Sequence, residues 1–471
     1  MRLSTTTRNI FYFFGGDVGS RVLGFFATIY LARVLGTSGF GIIHIGMAVL
    51  AYAAIISDVG LQFLGTREAA GNADGLPEFS GRLFITRFVL SIVTFIVGAV
   101  ILITFLNSQG VKEVSLIYLL YIIPAALLLD WFFQGKKQIG VVAGGKFFGM
   151  LFYLIFIFLF VNSASDLSNV AWGWTLGIVV NTILLWFIFI RKKYRIKFNW
   201  QPQQFLELFR SALPLGVATI IGQVIIQFPA IYIGLVSTTS EVGLFSAAFK
   251  VAVLLLIFDR AFYAIIYPIF SHHFQQSPER LPEVFSIVLK LTVTLALFMG
   301  LFSIVSADFL INLLFGPAFK NAVLIFQTMI GYFIITLIAS VFGYTLVAMK
   351  LEKLYTKSLI GGMVVFFITV FWTVQLWGAV GAAISIVLYI FTSFSIMAIS
   401  LRHYIPIKYN RSIVLPFLGT FLIFLPLLML TNIALALKLL IATVIFLPVI
   451  AWMSGVGLNE IRYLKRALIW N

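Results

Sequence analysis

The stretch from Asp17 to Gly41 reads DVGSRVLGFFATIYLARVLGTSGFG. Most of it is apolar, yet Asp17 and Arg21 sit inside it four residues apart, on one face of a helix. It closes on Gly36-Thr37-Ser38-Gly39, a turn whose hydroxyls suit the N-terminus of a second helix. Two apolar runs flank that turn, roughly 9–34 and 40–63, and each has the ~20 residues a bilayer-spanning helix needs. The stretch therefore predicts a helical hairpin in a membrane, with a charge pair inside its first arm.

The pattern recurs along the chain. Further apolar runs fall at roughly 82–106, 114–134, 147–162, 170–190, 209–236, 242–268, 282–305, 319–346, 356–375, 380–401, 412–430 and 435–453, about fourteen spans in all. Composition agrees: the chain is 61% hydrophobic and 10% charged, with mean hydropathy +1.08. Soluble domains do not repeat such runs from end to end. The expected fold class is all-α, a polytopic membrane protein. No connection between spans is long enough for a soluble domain. The first span is charged and followed at once by others, so it is not read as a cleaved signal peptide.

Strict alternation sorts the loops onto two sides. One side collects most of the 32 Lys and Arg, among them Arg67, Lys136, Lys137, Lys146, the run Arg191-Lys192-Lys193, and Lys350, Lys353 and Lys357. The other has Lys112 in a loop, with Arg33, Lys320 and Lys438 at helix ends. The positive-inside rule then places both termini in the cytoplasm of a cell (inner) membrane protein. Most of the net charge of +16 is thus topological. These cations are scattered over short loops without a soluble reading domain, so no nucleic-acid partner is expected.

Several chemistries are excluded. The chain has no Cys, hence no disulfide, iron–sulfur or thiolate chemistry. His272-His273 lacks carboxylates at ligand spacing, so no metal site is expected. Gly144-Gly145-Lys146 lacks the glycine spacing and the following Ser or Thr of a nucleotide-binding loop. No nucleophile, base and oxyanion-hole set stands out, so the chain does not read as an enzyme, and no cofactor is implied.

Two stretches match at an offset of about 202 residues: Thr37-Ser38-Gly39-Phe40-Gly41 and Thr239-Ser240-Glu241-Val242-Gly243. Each opens an even-numbered span, and the offset equals six spans. That predicts a parallel repeat of two six-helix lobes, 1–200 and 201–405, with 406–471 adding two further spans.

Four cations lie well inside the spans: Arg21, Lys250, Arg260 and Lys290. A charge in the bilayer centre costs about 3 to more than 10 kcal/mol, so such residues line a watery path or a binding cavity. They are the candidate binding residues for an anion. Asp17 neutralises Arg21, or orients it so that its guanidinium can fork onto a phosphate. Asp259, adjacent to Arg260, points elsewhere and is expected to engage another helix. Arg87 and Arg210 lie nearer the cytoplasmic face, where they anchor at headgroups or form the mouth of the path. Asp58 and Asp130 stand near helix ends, where backbone or basic loops satisfy them. Trp131 is expected in an interfacial aromatic belt. Gly15, Gly16, Gly19 and Gly24 are expected to let span 1 pack closely on a neighbour.

The residues also resemble a known family. Leu31-Ala32-Arg33-Val34-Leu35-Gly36-Thr37-Ser38-Gly39-Phe40-Gly41 is similar to the first hairpin of bacterial and archaeal polysaccharide flippases. These belong to the multidrug/oligosaccharidyl-lipid/polysaccharide exporter superfamily. Ser57-Asp58-Val59-Gly60-Leu61, Asp130-Trp131-Phe132-Phe133-Gln134-Gly135 and Phe315-Gly316-Pro317-Ala318-Phe319-Lys320 resemble later family segments in the right order. The resemblance implies two helical lobes that alternate between inward- and outward-open states. The implied cargo is a polyprenyl-pyrophosphate-linked oligosaccharide in the bilayer, with a polysaccharide polymerase or glycosyltransferases as candidate partners. A multidrug or cation antiporter, a peptidoglycan-precursor flippase and a channel or scaffold stay open as alternatives.

Overall fold

A computed structural model describes residues 5–71, 75–198 and 202–406, together with 437, 440 and 444. The spans expected at 412–430 and 435–453, and with them nearly all of 406–471, lie outside the described residues. The described residues are helical throughout, without strands. The chain divides into two compact units, Met1–Gly243 and Leu244–Asn471.

The first unit holds α1 (Thr5–Asp58), α2 (Leu61–Gly71), α3 (Leu76–Phe105), α4 (Gln109–Leu120), α5 (Ile122–Ala126), α6 (Asp130–Gly135), α7 (Ile139–Phe160), α8 (Leu167–Arg191) and α9 (Pro202–Val236). The opening stretch is helical on both sides of a single break, Gly36 at φ 66° and ψ −174°. L side chains rarely adopt that conformation, which is why glycine stands there. The two arms of α1 are the first two expected spans.

Small residues let these helices approach closely, since packing between membrane helices relies on close contact rather than on the hydrophobic effect. A side chain at Gly16, Gly19 or Gly24 would run into Ala143, Phe147 or Met150 of α7. Gly149 of α7 and Gly177 of α8 each face the other's carbonyl oxygen, so neither tolerates a Cβ without a shift of backbone. Gly16, Gly19 and Gly24 of span 1 are packing residues, and the packing of Gly15 lies outside the described residues.

The fourth span is interrupted. α4 gives way to the short α5 and α6, which leaves carbonyls free where hydrocarbon supplies no partner. Side chains from neighbouring helices take them up. Arg87 donates to Ala125 O and Leu128 O at 3.3 and 3.2 Å, and Trp186 Nε1 to Leu127 O at 2.9 Å. Thr175 Oγ1 donates to Ile117 O at 3.2 Å. Trp131, on α6, is wholly buried against Phe79, Phe84 and Phe132. The interfacial belt expected for it is corrected: the interruption turns α6 inward beneath α2, so the indole becomes core.

Three spans of the basic loops end alike. Lys137, Lys193 and Lys350 adopt φ of 57°, 57° and 60° just after α6, α8 and α14 (Ala322–Ala348). In each case the following N–H reaches back to a carbonyl five residues earlier: Gln138 to Phe133, Tyr194 to Phe189 and Leu351 to Leu346. This left-handed cap usually takes glycine. A lysine there places its charge against the negative end of the helix dipole as well as on the basic side of the membrane.

The 202-residue repeat is also a contact inside the first unit. Ser38 Oγ lies 2.7 Å from Thr239 Oγ1, and Ser240 Oγ lies 2.8 Å from Thr37 Oγ1. A Cβ at Gly41 would meet Thr239 O, and one at Gly243 would meet Thr37 O. Equivalent residues therefore exchange equivalent contacts about a local two-fold.

The second unit begins within α10 (Thr239–Leu255) and continues through α11 (Ile257–Gln276), α12 (Leu281–Val305), α13 (Ala307–Phe315), α14 and α15 (Glu352–Leu401). Its core joins α11, α12, α14 and the last turns of α15 through Phe270, Phe285, Phe333 and Phe342. α15 is broken at Trp377 and Gly378, making two spans. Thr373 Oγ1 ties the break by donating to Gly381 O at 2.9 Å.

Candidate functional site

Deep charges in the first unit occur as three cation–carboxylate pairs. Arg21 Nε contacts Asp17 Oδ2 at 2.8 Å, one turn away on α1. Arg87 Nε, on α3, contacts Asp58 Oδ1 at 3.1 Å, at the end of α1. Lys146 Nζ, on α7, lies 3.5 Å from Asp130 Oδ2 at the start of α6. The last two pairs line one cavity of ≈ 630 Å³ between α1, α3, α5, α7 and α8. Tyr121, Tyr153, Trp174, Asn181 and Phe63 complete its polar and aromatic wall.

The pairs differ in what they leave available. Arg87 is only 9% exposed, and Asp58 and the two carbonyls of the broken span occupy it. Asp58 also accepts from Gln62 N at 3.2 Å, which caps α2. This cation is a tie between α1, α3 and the interruption, and it lines the cavity. Arg21 is the opposite: its side chain is 61% exposed and only Nε is engaged. Lys146 is intermediate, with a 43% exposed side chain and a long contact to Asp130. Sequence reading counted Lys146 with the loop cations because it began the fifth span at 147. The helix starts at Ile139, two turns earlier. The only signal was the glycine-rich run before it, which reads as a loop but packs as a helix.

In the second unit, Lys250 and Lys290 are half-buried on α10 and α12, and Arg260 is exposed. Arg260 stands in the first turn of α11, directly after the break at Leu256. Asp259 does engage another helix: Tyr344 Oη on α14 donates to its Oδ2 at 3.0 Å. Arg210 is an exposed residue of α9 outside the cavity. The structure thus brings Arg87, Lys146, Asp58 and Asp130 together, whereas Arg21 does not line that cavity although the residue before it, Ser20, does. Among the described residues no cluster of His, Asp and Glu is fit to hold a metal ion.

Apolar helices closely packed on glycine, charge pairs within them and a cavity lined by two of those pairs fit a multi-pass membrane transporter. The chain belongs to the family described as polysaccharide biosynthesis protein, which matches residues 6–274. It is 24% identical over 396 residues to a protein of Escherichia coli (strain K12) named as an O-antigen transporter, covering 80% of this chain and 92% of that one. It is 22% identical over 391 residues to a protein of Haloferax volcanii named as a low-salt glycan biosynthesis flippase, covering 81% and 80%. A solved structure of the lipid II flippase MurJ, in an inward closed conformation, superposes with TM-score 0.73 at 12% identity, covering 93% of this chain and 98% of that one. The fold is accordingly that of the multidrug/oligosaccharidyl-lipid/polysaccharide exporter superfamily, and the protein is a flippase-type transporter, not an enzyme.

Proposed function

We propose that this protein moves polyprenyl-pyrophosphate-linked oligosaccharide repeat units from the cytoplasmic to the outer leaflet of the cell membrane by alternating access. In this reading 1–200 and 201–405 act as two six-helix lobes, 406–471 adds two spans, and both termini are cytoplasmic. The observation that carries it is Arg21. Asp17 holds its Nε at 2.8 Å, while its terminal nitrogens make no hydrogen bond among the described residues. A guanidinium anchored on one edge and open on the other is poised for bidentate contact with a phosphate. Its exposure supports a water-filled path, because a cation at that depth does not face lipid.

Arg260, Lys250 and Lys290 supply further positive charge. Export of a negative headgroup is favoured by an electrically negative interior, by about 2.3 kcal/mol per charge per 100 mV. The test is flipping of a labelled lipid-linked oligosaccharide in reconstituted vesicles. Arg21→Ala with Arg260→Ala should slow it by about tenfold or more, since charge-assisted hydrogen bonds are lost. An unchanged rate rejects the cationic path.

One observation favours a cation antiporter instead: Asp58 and Asp130 line a cavity. Both, however, already have a cation within 3.5 Å. Drug efflux that depends on Asp58 and Asp130, without any lipid flipping, would establish that alternative.

A further inference from the structure

We propose that the cavity inside the first unit binds an uncharged, polyhydroxylated ring: a sugar of the cargo, not its phosphates and not a coupling cation. This rests on the flippase reading above and adds where the glycan is recognised. Buried polar atoms in native structures nearly always have partners, so those without one call for a ligand or water. Five such atoms belong to residues lining this cavity. Tyr153 Oη, Trp174 Nε1, Asp130 Oδ1, Asn181 Oδ1 and Asp58 Oδ1 are buried and have no hydrogen-bond partner among the described residues, Asp58 Oδ1 keeping only its ion-pair contact with Arg87. Tyr153 and Asp130 are themselves more than nine-tenths buried.

The set contains a donor, a hydroxyl that can be either and three acceptors, one of them the neutral Asn181 amide oxygen. Sugar hydroxyls, which both donate and accept, complement that mixture. An anion would call for donors only, and a metal cation for acceptors only. Charge points the same way. Asp58 with Arg87 and Asp130 with Lys146 cancel formally, so the cavity has no net attraction for pyrophosphate or for a cation.

Size and shape narrow the class further. A site for a proton needs no volume, whereas ≈ 630 Å³ falls in the range of pockets that enclose small molecules. The rings of Tyr153 and Trp174 meet edge to face with centroids 5.2 Å apart, and Tyr121 and Phe63 also line the space. Aromatic faces carry partial negative charge and suit the C–H faces of a sugar ring. Gly149 and Gly177 bring the backbones of α7 and α8 together at the wall, where larger residues would take up that space.

The test compares two substrates in vesicles: the polyprenyl pyrophosphate carrying its oligosaccharide, and the same lipid pyrophosphate without sugar. The readout is the ratio of their flipping rates. Tyr153→Phe with Trp174→Phe should lower that ratio about tenfold, because two hydrogen bonds to hydroxyls are lost while rings and packing remain. Ala54→Leu, which fills the cavity from α1 without touching those groups, should lower it as well and serves if the double variant does not fold. An unchanged ratio in folded variants overturns the proposal and leaves a hydrated cavity. Failure of the unaltered protein to flip either lipid overturns the flippase reading itself, and this inference with it.

Discussion

The two units treat charge in opposite ways. In the first, three cations within the described helices have a carboxylate: Arg21 with Asp17, Arg87 with Asp58, Lys146 with Asp130. In the second, Arg260 and Lys290 form no ion pair among the described residues, and the carboxylate beside Arg260, Asp259, accepts from the Tyr344 hydroxyl. A compensated charge serves the fold, because removing its partner strands an ion in a low dielectric. An excess of one sign serves a ligand, because only an incoming counter-charge relieves it. Apart from the open edge of Arg21, the first unit therefore reads as the scaffold with its neutral cavity, and the second as the larger reserve of positive charge.

The sharpest way to break this contrast is Arg87→Met. It strands Asp58 and frees the carbonyls of Ala125 and Leu128, so a loss of about 3–5 kcal/mol is expected. Melting in detergent should show the largest drop of any variant considered, and adding Asp58→Asn should restore part of it. Wild-type melting would make the pair dispensable and erase the contrast. Next in size is Lys290→Met. Lys290 forms no ion pair among the described residues, so stability should stay within about 0.5 kcal/mol. Transport of the anionic lipid should fall about tenfold. Unfolding without a transport defect would reverse the assignment.

Lys146→Met should cost no more than about 1 kcal/mol, because its contact is long and the side chain half exposed. Lys146→Arg, read in the same melting assay, should recover the difference. The smallest effect lies outside the spans. Asp166 accepts from Asn162 N at 3.0 Å and from Ser163 N and Oγ at 2.9 Å, and these bonds hold its carboxyl below the usual carboxylate range. A depressed carboxylate stabilises above its unfolded pKa, near 3.9, and that contribution fades as pH falls through the folded value. Protection of the Asn162 and Ser163 amides, measured relative to an unprotected amide at the same pH, should fall only in that acid window. Loss of protection near neutral pH would contradict the assignment.

Much of the architecture was legible in the chain. Hydropathy marked the described spans, while the 202-residue match pointed to a repeat and not to the reciprocal Thr37–Ser240 and Ser38–Thr239 contacts its residues make. Asp17 with Arg21 was readable because a pair one turn apart on a helix is a local fact. The other pairs were not. Asp58 with Arg87, and Asp130 with Lys146, each join different helices, and nothing near them in sequence reports the partner. Lys146 was obscured further because Gly144 and Gly145 look like a loop, whereas they lie within α7 and α8 packs on Gly145. Trp131 was misplaced for a related reason. An interrupted span has the same composition as a continuous one, while its break sends the indole inward.

What the sequence determined alone is what repeats within a few residues: helix-length apolar runs, the side on which basic loops lie, and the presence of cations that hydrocarbon does not tolerate. The tertiary structure decided which of those cations are neutralised and which remain open. It also decided that carbonyls freed at the break in the fourth span find Arg87 and Trp186. The reason is physical. Hydropathy and helical period act along the chain, whereas a charge in a membrane is stabilised or left exposed by whatever other helices bring within about 4 Å.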